Sequence, residues 1–156
     1  MVSSPPETMH YQLIATTDAD QPWLDGLRRA VYLDLFVATW GGWDEARHKR
    51  HLAACLESGH IFAIEVGGQR VGMIQLLEHP DELEVGEMQI EPAHQGQGIG
   101  TRVLLDTLAR AKAEGRKVLL STGLQNLRAV KLYERLGFQH VAQSDTHFHM
   151  ELSQQA

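Results

Sequence analysis

The sequence predicts an α/β (α+β) fold: a mixed, mostly antiparallel central sheet of six to seven strands with helices on both faces, in the order βααβββαβαββ. Three observations carry this. Short β-rich runs such as HYQLIA (10–15), HIFAIEV (60–66) and KVLLST (117–122) stand apart from longer stretches whose apolar residues recur at helical spacing. Gly67-Gly68 joins two β-rich runs in the manner of a hairpin turn. The stretch 84–101 (EVGEMQIEPAHQGQGIGT) reads as a strand stopped by Pro92, a glycine-rich turn, and a helix beginning near Gly98.

With 156 residues, 43% hydrophobic and 22% charged, the chain is long enough for one compact domain. That domain is expected over 9–156, behind a short flexible tail at 1–8 where Ser3, Ser4, Pro5 and Pro6 resist packing. A formal net charge of −6 argues against nucleic acid as a partner, because phosphate neutralisation needs a basic surface. The single cysteine, Cys55, excludes an internal disulfide. No run approaches the ~18 apolar residues of a membrane span. Met1–Glu7 has neither the basic start nor the apolar stretch of a secretion signal, so a cytoplasmic protein without a membrane partner is expected.

Along the chain, 10–15 is the first strand. Asp18 or Asp20 caps a helix with Pro22 in its first turn, and Leu24, Leu27, Val31 and Leu35 share a face of it through about Ala38. Trp40 and Trp43 flank Gly41-Gly42, which breaks that helix; a second, strongly polar one runs from Asp44 to about Ser58 and ends at Gly59. The hairpin joins 60–66 to 70–77. Val85, Met88 and Ile90 make 84–90 a partly buried strand. From Thr101 a helix turns Leu104, Leu105, Leu108 and Ala111 one way, and the almost wholly apolar 117–122 suits the middle of a sheet. A helix over 127–136 points Ala129, Leu132, Tyr133 and Leu136 inward and stops at Gly137; 138–144 and 147–152 are the last strands.

Gly96, Gly98 and Gly100 lack the Cβ that keeps a ligand away from the main chain. A helix start leaves its first N–H groups without intrahelical partners, at the positive end of the dipole. Together these make an anion site suited to phosphate. A dinucleotide-binding turn fails on spacing: counted from Gly98, G-x-G-x-x-G puts Val103 where its third glycine belongs, and counted from Gly96 the run is G-x-G-x-G. Gln95–Gly100 (QGQGIG) instead resembles the Q/R-x-x-G-x-G/A pyrophosphate loop of the GNAT superfamily, the acetyl-CoA-dependent N-acetyltransferases. About thirty residues on, Asn126–Phe138 (NLRAVKLYERLGF) is similar to that superfamily's N-x-x-A-x-x-x-Y-x-x-x-G-F block. The resemblance spans roughly 60–150.

It implies acetyl-CoA as cofactor, with coenzyme A as product. Main-chain N–H groups of Gln95, Gly96, Gln97, Gly98, Ile99, Gly100 and Thr101 would grip the pyrophosphate. Met88, Gln89 and Ile90 would follow the pantetheine arm where strands 84–90 and 117–122 splay apart, and Asn126 would belong to the same site. Tyr133 falls on the family's general acid; a phenol of pKa about 10 keeps its proton at neutral pH, although core packing accounts equally for an inward tyrosine. The base is open between Glu87 and Glu84, of opposite parity in an ideal strand, a count that the family's common bulge here upsets. Glu87 is also an acceptor-facing candidate. Trp40 and Trp43 either line the substrate pocket or pack the helix junction.

The implied reaction is transfer of acetyl to a primary amine of a small molecule or peptide by direct attack in a ternary complex. Cys55 lies outside both motifs, which disfavours an acyl-cysteine. The alternative is a non-catalytic acyl-CoA-binding sensor or interaction module on the same fold. Glu78, Asp81, Glu82, Glu84, Glu87 and Glu91 crowd one span whose field attracts a cationic small-molecule amine or lysine-type acceptor, unless it is only a solvated loop. The histidine pairs His48/His51 and His147/His149 lack local acidic or cysteine ligands, so no metal is expected. A homodimer, common in the family, stays open.

Overall fold

The computed structural model describes residues 10–124 and 126–153; the expected tail at 1–8 lies outside them. The elements are β1 (Tyr11–Ala15), α1 (Gln21–Trp40), α2 (Glu45–Ser58), β2 (Ile61–Val66), β3 (Gln69–Glu78), β4 (Glu82–Ile90), α3 (Ile99–Ala113), β5 (Lys117–Gly123), α4 (Leu127–Arg135), β6 (Gln139–Gln143) and β7 (His147–Leu152). Their order is the expected βααβββαβαββ. Short 3-10 turns, Asp18–Asp20 and Pro92–His94, lead into α1 and the glycine turn. The strands form one seven-stranded sheet in the order β1-β2-β3-β4-β5-β7-β6. By its contacts the chain divides into two compact units, one running to Ile74 with Met88–Thr101, the other holding Gln75–Glu87 and the chain from Arg102.

In the first unit, β1 lies antiparallel to β2 from Tyr11↔Val66 to Ala15↔Phe62. Thr17 and Asp20 form a capping box ahead of α1. α1 then puts Leu24 and Leu27 into a buried cluster with Cys55, Ile61 and Met73, around which Trp23, Val31, Leu52 and Leu56 pack. α1 stops at Gly41, whose φ of 75° suits glycine and whose N–H donates to Val37 O. Asp44 caps α2, its Oδ1 accepting from Arg47 N–H at 3.0 Å. α2 is less polar in practice than its residues suggest: His48 is 2% exposed, its Nε2 hydrogen-bonded to the Asp25 carboxylate of α1. A buried imidazole needs such a partner, and period alone does not show which polar residue has one.

In the second unit, β5 runs parallel to the start of β4 and antiparallel to β7, and β7 pairs antiparallel with β6. Leu83, Val118, Leu120 and Met150 are buried. α3 buries Val103, Leu104, Thr107, Leu108 and Ala111. Leu105, expected on that face, is 42% exposed because it sits ~100° further round the helix. On α4 the buried residue is Val130, beside the half-buried face expected from the sequence. Gly137, at φ 100°, closes α4: its N–H donates to Glu134 O, and Phe138 N–H reaches back to Tyr133 O at 3.0 Å.

Candidate functional site

The glycine turn is built from the end of β4. Glu91 N–H donates to Val71 O at 2.8 Å, and His94 N–H returns to Glu91 O at 2.8 Å through the 3-10 turn. Gln95 turns its side chain back, Nε2 donating to Ile90 O at 2.9 Å, so this residue braces the turn as well as belonging to it. Gly96 and Gly98 have φ of 78° and 80°, which L side chains rarely adopt, and nothing stands within 4 Å of where their Cβ atoms would be. Gly100 differs: its missing Cβ would lie 3.4 Å from Ile90 Cγ1 and 3.5 Å from Met88 Cε, so the structure brings these three residues together. Ile99 is buried and anchors the helix start. The first four N–H groups of α3, from Ile99 to Arg102, have no intrahelical acceptors. Open main chain and helix-end donors without intrahelical acceptors together fit a pyrophosphate.

β4 loses its parallel partner part-way along. Its ladder with β5 runs from Glu82↔Lys117 to Val85↔Leu120 and ends there, although both strands continue. β4 is also irregular. His79 and Glu82 exchange hydrogen bonds at 2.9 and 3.4 Å, whereas Glu91 bonds to Val71, so nine steps from 82 to 91 face eight from 79 to 71. That one extra residue is a bulge, and alternation therefore does not carry through the strand from Glu84 to Ile90. Leu83, Val85 and Gln89 are buried, while Met88 and Ile90 are half-buried.

Glu84 Oε1 lies 3.1 Å from His79 Nε2. Glu82 pairs with Lys117 at 3.5 Å, and Glu78 with both Arg110 and Arg116. The acidic span is thus partly neutralised, and its pull on a cation is weaker than the run of carboxylates suggests.

Tyr133 and Asn126 belong to one helix. Asn126 is the N-cap of α4, its Oδ1 accepting from Ala129 N–H at 3.3 Å. Tyr133 packs against Phe138 at 5.8 Å between ring centroids, and burial raises its phenol above the usual tyrosine value. On the neighbouring strands Ser121 Oγ and His149 Nδ1 are 2.8 Å apart, while His147 Nδ1 bonds to Thr146 Oγ1. Among the described residues, no three His, Cys, Asp or Glu side chains are placed to hold a metal ion.

Trp40 and Trp43 meet through Phe36, at 4.9 and 5.7 Å from its ring. Trp43 Nε1 donates to Glu45 Oε1, and Trp40 stays 51% exposed. Beside them lies a cavity of about 170 Å³ lined by Arg28, Phe36, Trp40, Asp44, Arg47 and His48. Sequence reading missed Phe36, Arg47 and His48. The i, i+4, i+8 aromatic spacing of Tyr32, Phe36 and Trp40 was the available signal for the first.

The model of the Acetyltransferase (GNAT) family matches residues 28–138. An uncharacterised N-acetyltransferase of Methanocaldococcus jannaschii is 29% identical over 125 residues, 69% of this chain and 55% of that protein. The N-alpha-acetyltransferase RimI of Mycobacterium tuberculosis is 35% identical over 103 residues, 64% of this chain and 63% of its own. The chain therefore spans between about half and two thirds of these relatives' length. A crystal structure of PaiA N-acetyltransferase from Thermoplasma acidophilum in complex with coenzyme A superposes with a TM-score of 0.70 at 16% identity, over 93% of this chain and 99% of that one, a likeness of fold. Since the family's model extends from α1 through the glycine turn to the end of the Asn126–Phe138 block, the chain belongs to the GNAT acetyltransferase family.

Proposed function

We propose that this chain transfers an acetyl group from acetyl-CoA to a primary amine of a small molecule or peptide, by direct attack in a ternary complex. The observation that carries this reading is the turn at Gly96 and Gly98, where nothing stands within 4 Å of the missing Cβ atoms, running into the first N–H groups of α3, which have no intrahelical acceptors. The main chain of Gln95–Thr101 would hold the pyrophosphate, and Met88, Gln89 and Ile90 the pantetheine amides. The end of the ladder at Val85↔Leu120 supports this, since it releases Gly86 from pairing with β5. Bound there, acetyl-CoA supplies an activated thioester as acyl donor.

Tyr133 is the acid in this scheme. Burial keeps its proton on Oη well past neutral pH, the state a donor needs. Glu87 or Glu84, the latter hydrogen-bonded to His79, is the candidate to take the acceptor's ammonium proton. Trp40 and Trp43 supply aromatic surface for the acceptor.

Calorimetric titration with coenzyme A, and a thiol-release assay over a panel of amines, test the reading. Tyr133→Phe is expected to keep coenzyme A affinity within about twofold and to lose about a hundredfold or more in kcat. Gly98→Val, forced to a positive φ, is expected to weaken coenzyme A about tenfold. No coenzyme A binding, or full turnover in Tyr133→Phe, overturns the proposal; binding without turnover on any amine favours an acyl-CoA sensor.

A further inference from the structure

We propose that the cavity at the α1–α2 junction is a subsite for a carboxylate next to an apolar group, so that the acceptor is an apolar α-amino acid rather than a simple cationic amine. This rests on the acetyl-transfer reading for the word acceptor, but the subsite itself follows from the cavity. At about 170 Å³ it is smaller than the ~300–1,000 Å³ of a whole-ligand site and suits one part of a ligand.

Arg47 decides the sign of the charge. Its guanidinium lies 5.1 Å from the Trp40 ring and 5.7 Å from that of Phe36, half-buried on the cavity wall. Among the described residues it forms no ion pair, whereas nearby Arg29 is held by both Asp25 and Glu45. Asp44, the one carboxylate of the lining, has its Oδ1 turned to Arg47 N–H as the helix cap. A planar guanidinium stacked on rings keeps its N–H edge for a bidentate carboxylate, while the ring faces beside it take an apolar body.

His48 belongs to the same wall. It is 2% exposed, Nε2 is tied to Asp25, and Nδ1 has no hydrogen-bond partner among the described residues. With Nε2 turned to the Asp25 carboxylate, Nδ1 of a neutral imidazole is an acceptor closed off from solvent, so His48 makes the wall polar while Arg47 alone answers a carboxylate. The acidic span 78–91, which on composition alone favours a cationic acceptor, is answered in part: Glu78 by Arg110 and Arg116, Glu82 by Lys117, and Glu84 by a hydrogen bond with His79.

The test compares phenylalanine with phenethylamine as acceptors, and separately titrates 3-phenylpropionate, which has no amine, into the full chain without acyl donor. Expected are a kcat/KM at least tenfold higher for phenylalanine than for phenethylamine, and saturable phenylpropionate binding. Arg47→Gln should lower the phenylalanine-to-phenethylamine ratio about 10- to 100-fold and weaken phenylpropionate similarly; Arg47→Lys, which keeps charge but loses the fork, should fall between. A preference for phenethylamine, or a ratio and an affinity unmoved by Arg47→Gln and Arg47→Lys, overturns the subsite. If neither amine is acetylated while phenylpropionate binds through Arg47, the transfer reading fails and the subsite stands.

Discussion

Gln75 occupies the space that a side chain on Gly86 would need: a Cβ at 86 would stand 2.2 Å from Gln75 Oε1 and 2.9 Å from its Cδ. Gln75 is 4% exposed, so it has little room to swing aside. A side chain at 86 must therefore displace the Gln75 amide, next to Glu87 and just past the end of the β4–β5 ladder. Gly86→Ala is expected to cost about 1–3 kcal/mol through overpacking. Combined with Gln75→Ala, the loss should be smaller than the sum of the two single losses, because the second change removes the clash. Urea unfolding of the three variants decides it; strict additivity would contradict the contact.

Asn126 has a structural task that is separable from any part in ligand binding. Its Oδ1 caps the helix that carries Tyr133. Asn126→Ala is expected to cost about 1 kcal/mol, and Asn126→Ser or Asn126→Asp to restore most of it, as N-cap preferences dictate. Melting curves measure that half. Coenzyme A titration of the same variants measures the other: affinity that recovers with the cap marks Asn126 as a positioning residue, and affinity lost in all three marks it as a ligand contact.

The parts of this fold that read well from sequence are those set by local chemistry. Pro92 marked the end of β4 because it cannot donate to a ladder, and the glycines at 96 and 98 marked the turn because L side chains rarely adopt their positive φ; β7 lies over the expected 147–152. Gly137 marked the end of α4 for the same reason. The cavity did not read well. Arg47 and His48 sit in a run that looks solvated, EARHKRH, and only the approach of α1, with Asp25 and Phe36, makes them a lining. The acidic span hid its partners in the same way: Glu78 is answered by Arg110 and Arg116, and Glu82 by Lys117, all far along the chain. Long-range pairing of charges leaves no periodic trace in a sequence.

Glu45 ties α2 to α1 and makes an acid-sensitive joint. Arg29 forks onto both its oxygens and Trp43 Nε1 donates at 2.9 Å, and these hold the Glu45 carboxyl down at about 2. A folded-state pKa below the unfolded value of about 4.3 contributes stability that is present above that value and is lost as pH falls toward 2. Stability should therefore drop between about pH 4.5 and 2, and Glu45→Gln should flatten that drop. Urea midpoints measured from pH 6 to 2 provide the check, and the same slope in the variant would show that other carboxylates carry the acid response.

Tyr133 makes the complementary case at alkaline pH. Burial raises its phenol above the ordinary value of about 10 while the unfolded chain titrates near it. Between those two values the unfolded state has lost a proton that the folded state keeps, so raising pH favours unfolding there. The contribution of Tyr133 is thus fully present below pH ~10 and is lost as pH climbs through the folded value. Tyr133→Phe removes the titrating group and leaves the ring contact with Phe138 at 5.8 Å largely intact. The variant should match the unaltered protein in urea midpoint near pH 8 to within about 1 kcal/mol, and should lose stability less steeply from pH 9 to 11.5. Parallel slopes over that range would mean that the phenol titrates in the folded protein as it does in water, and that burial does not hold its proton.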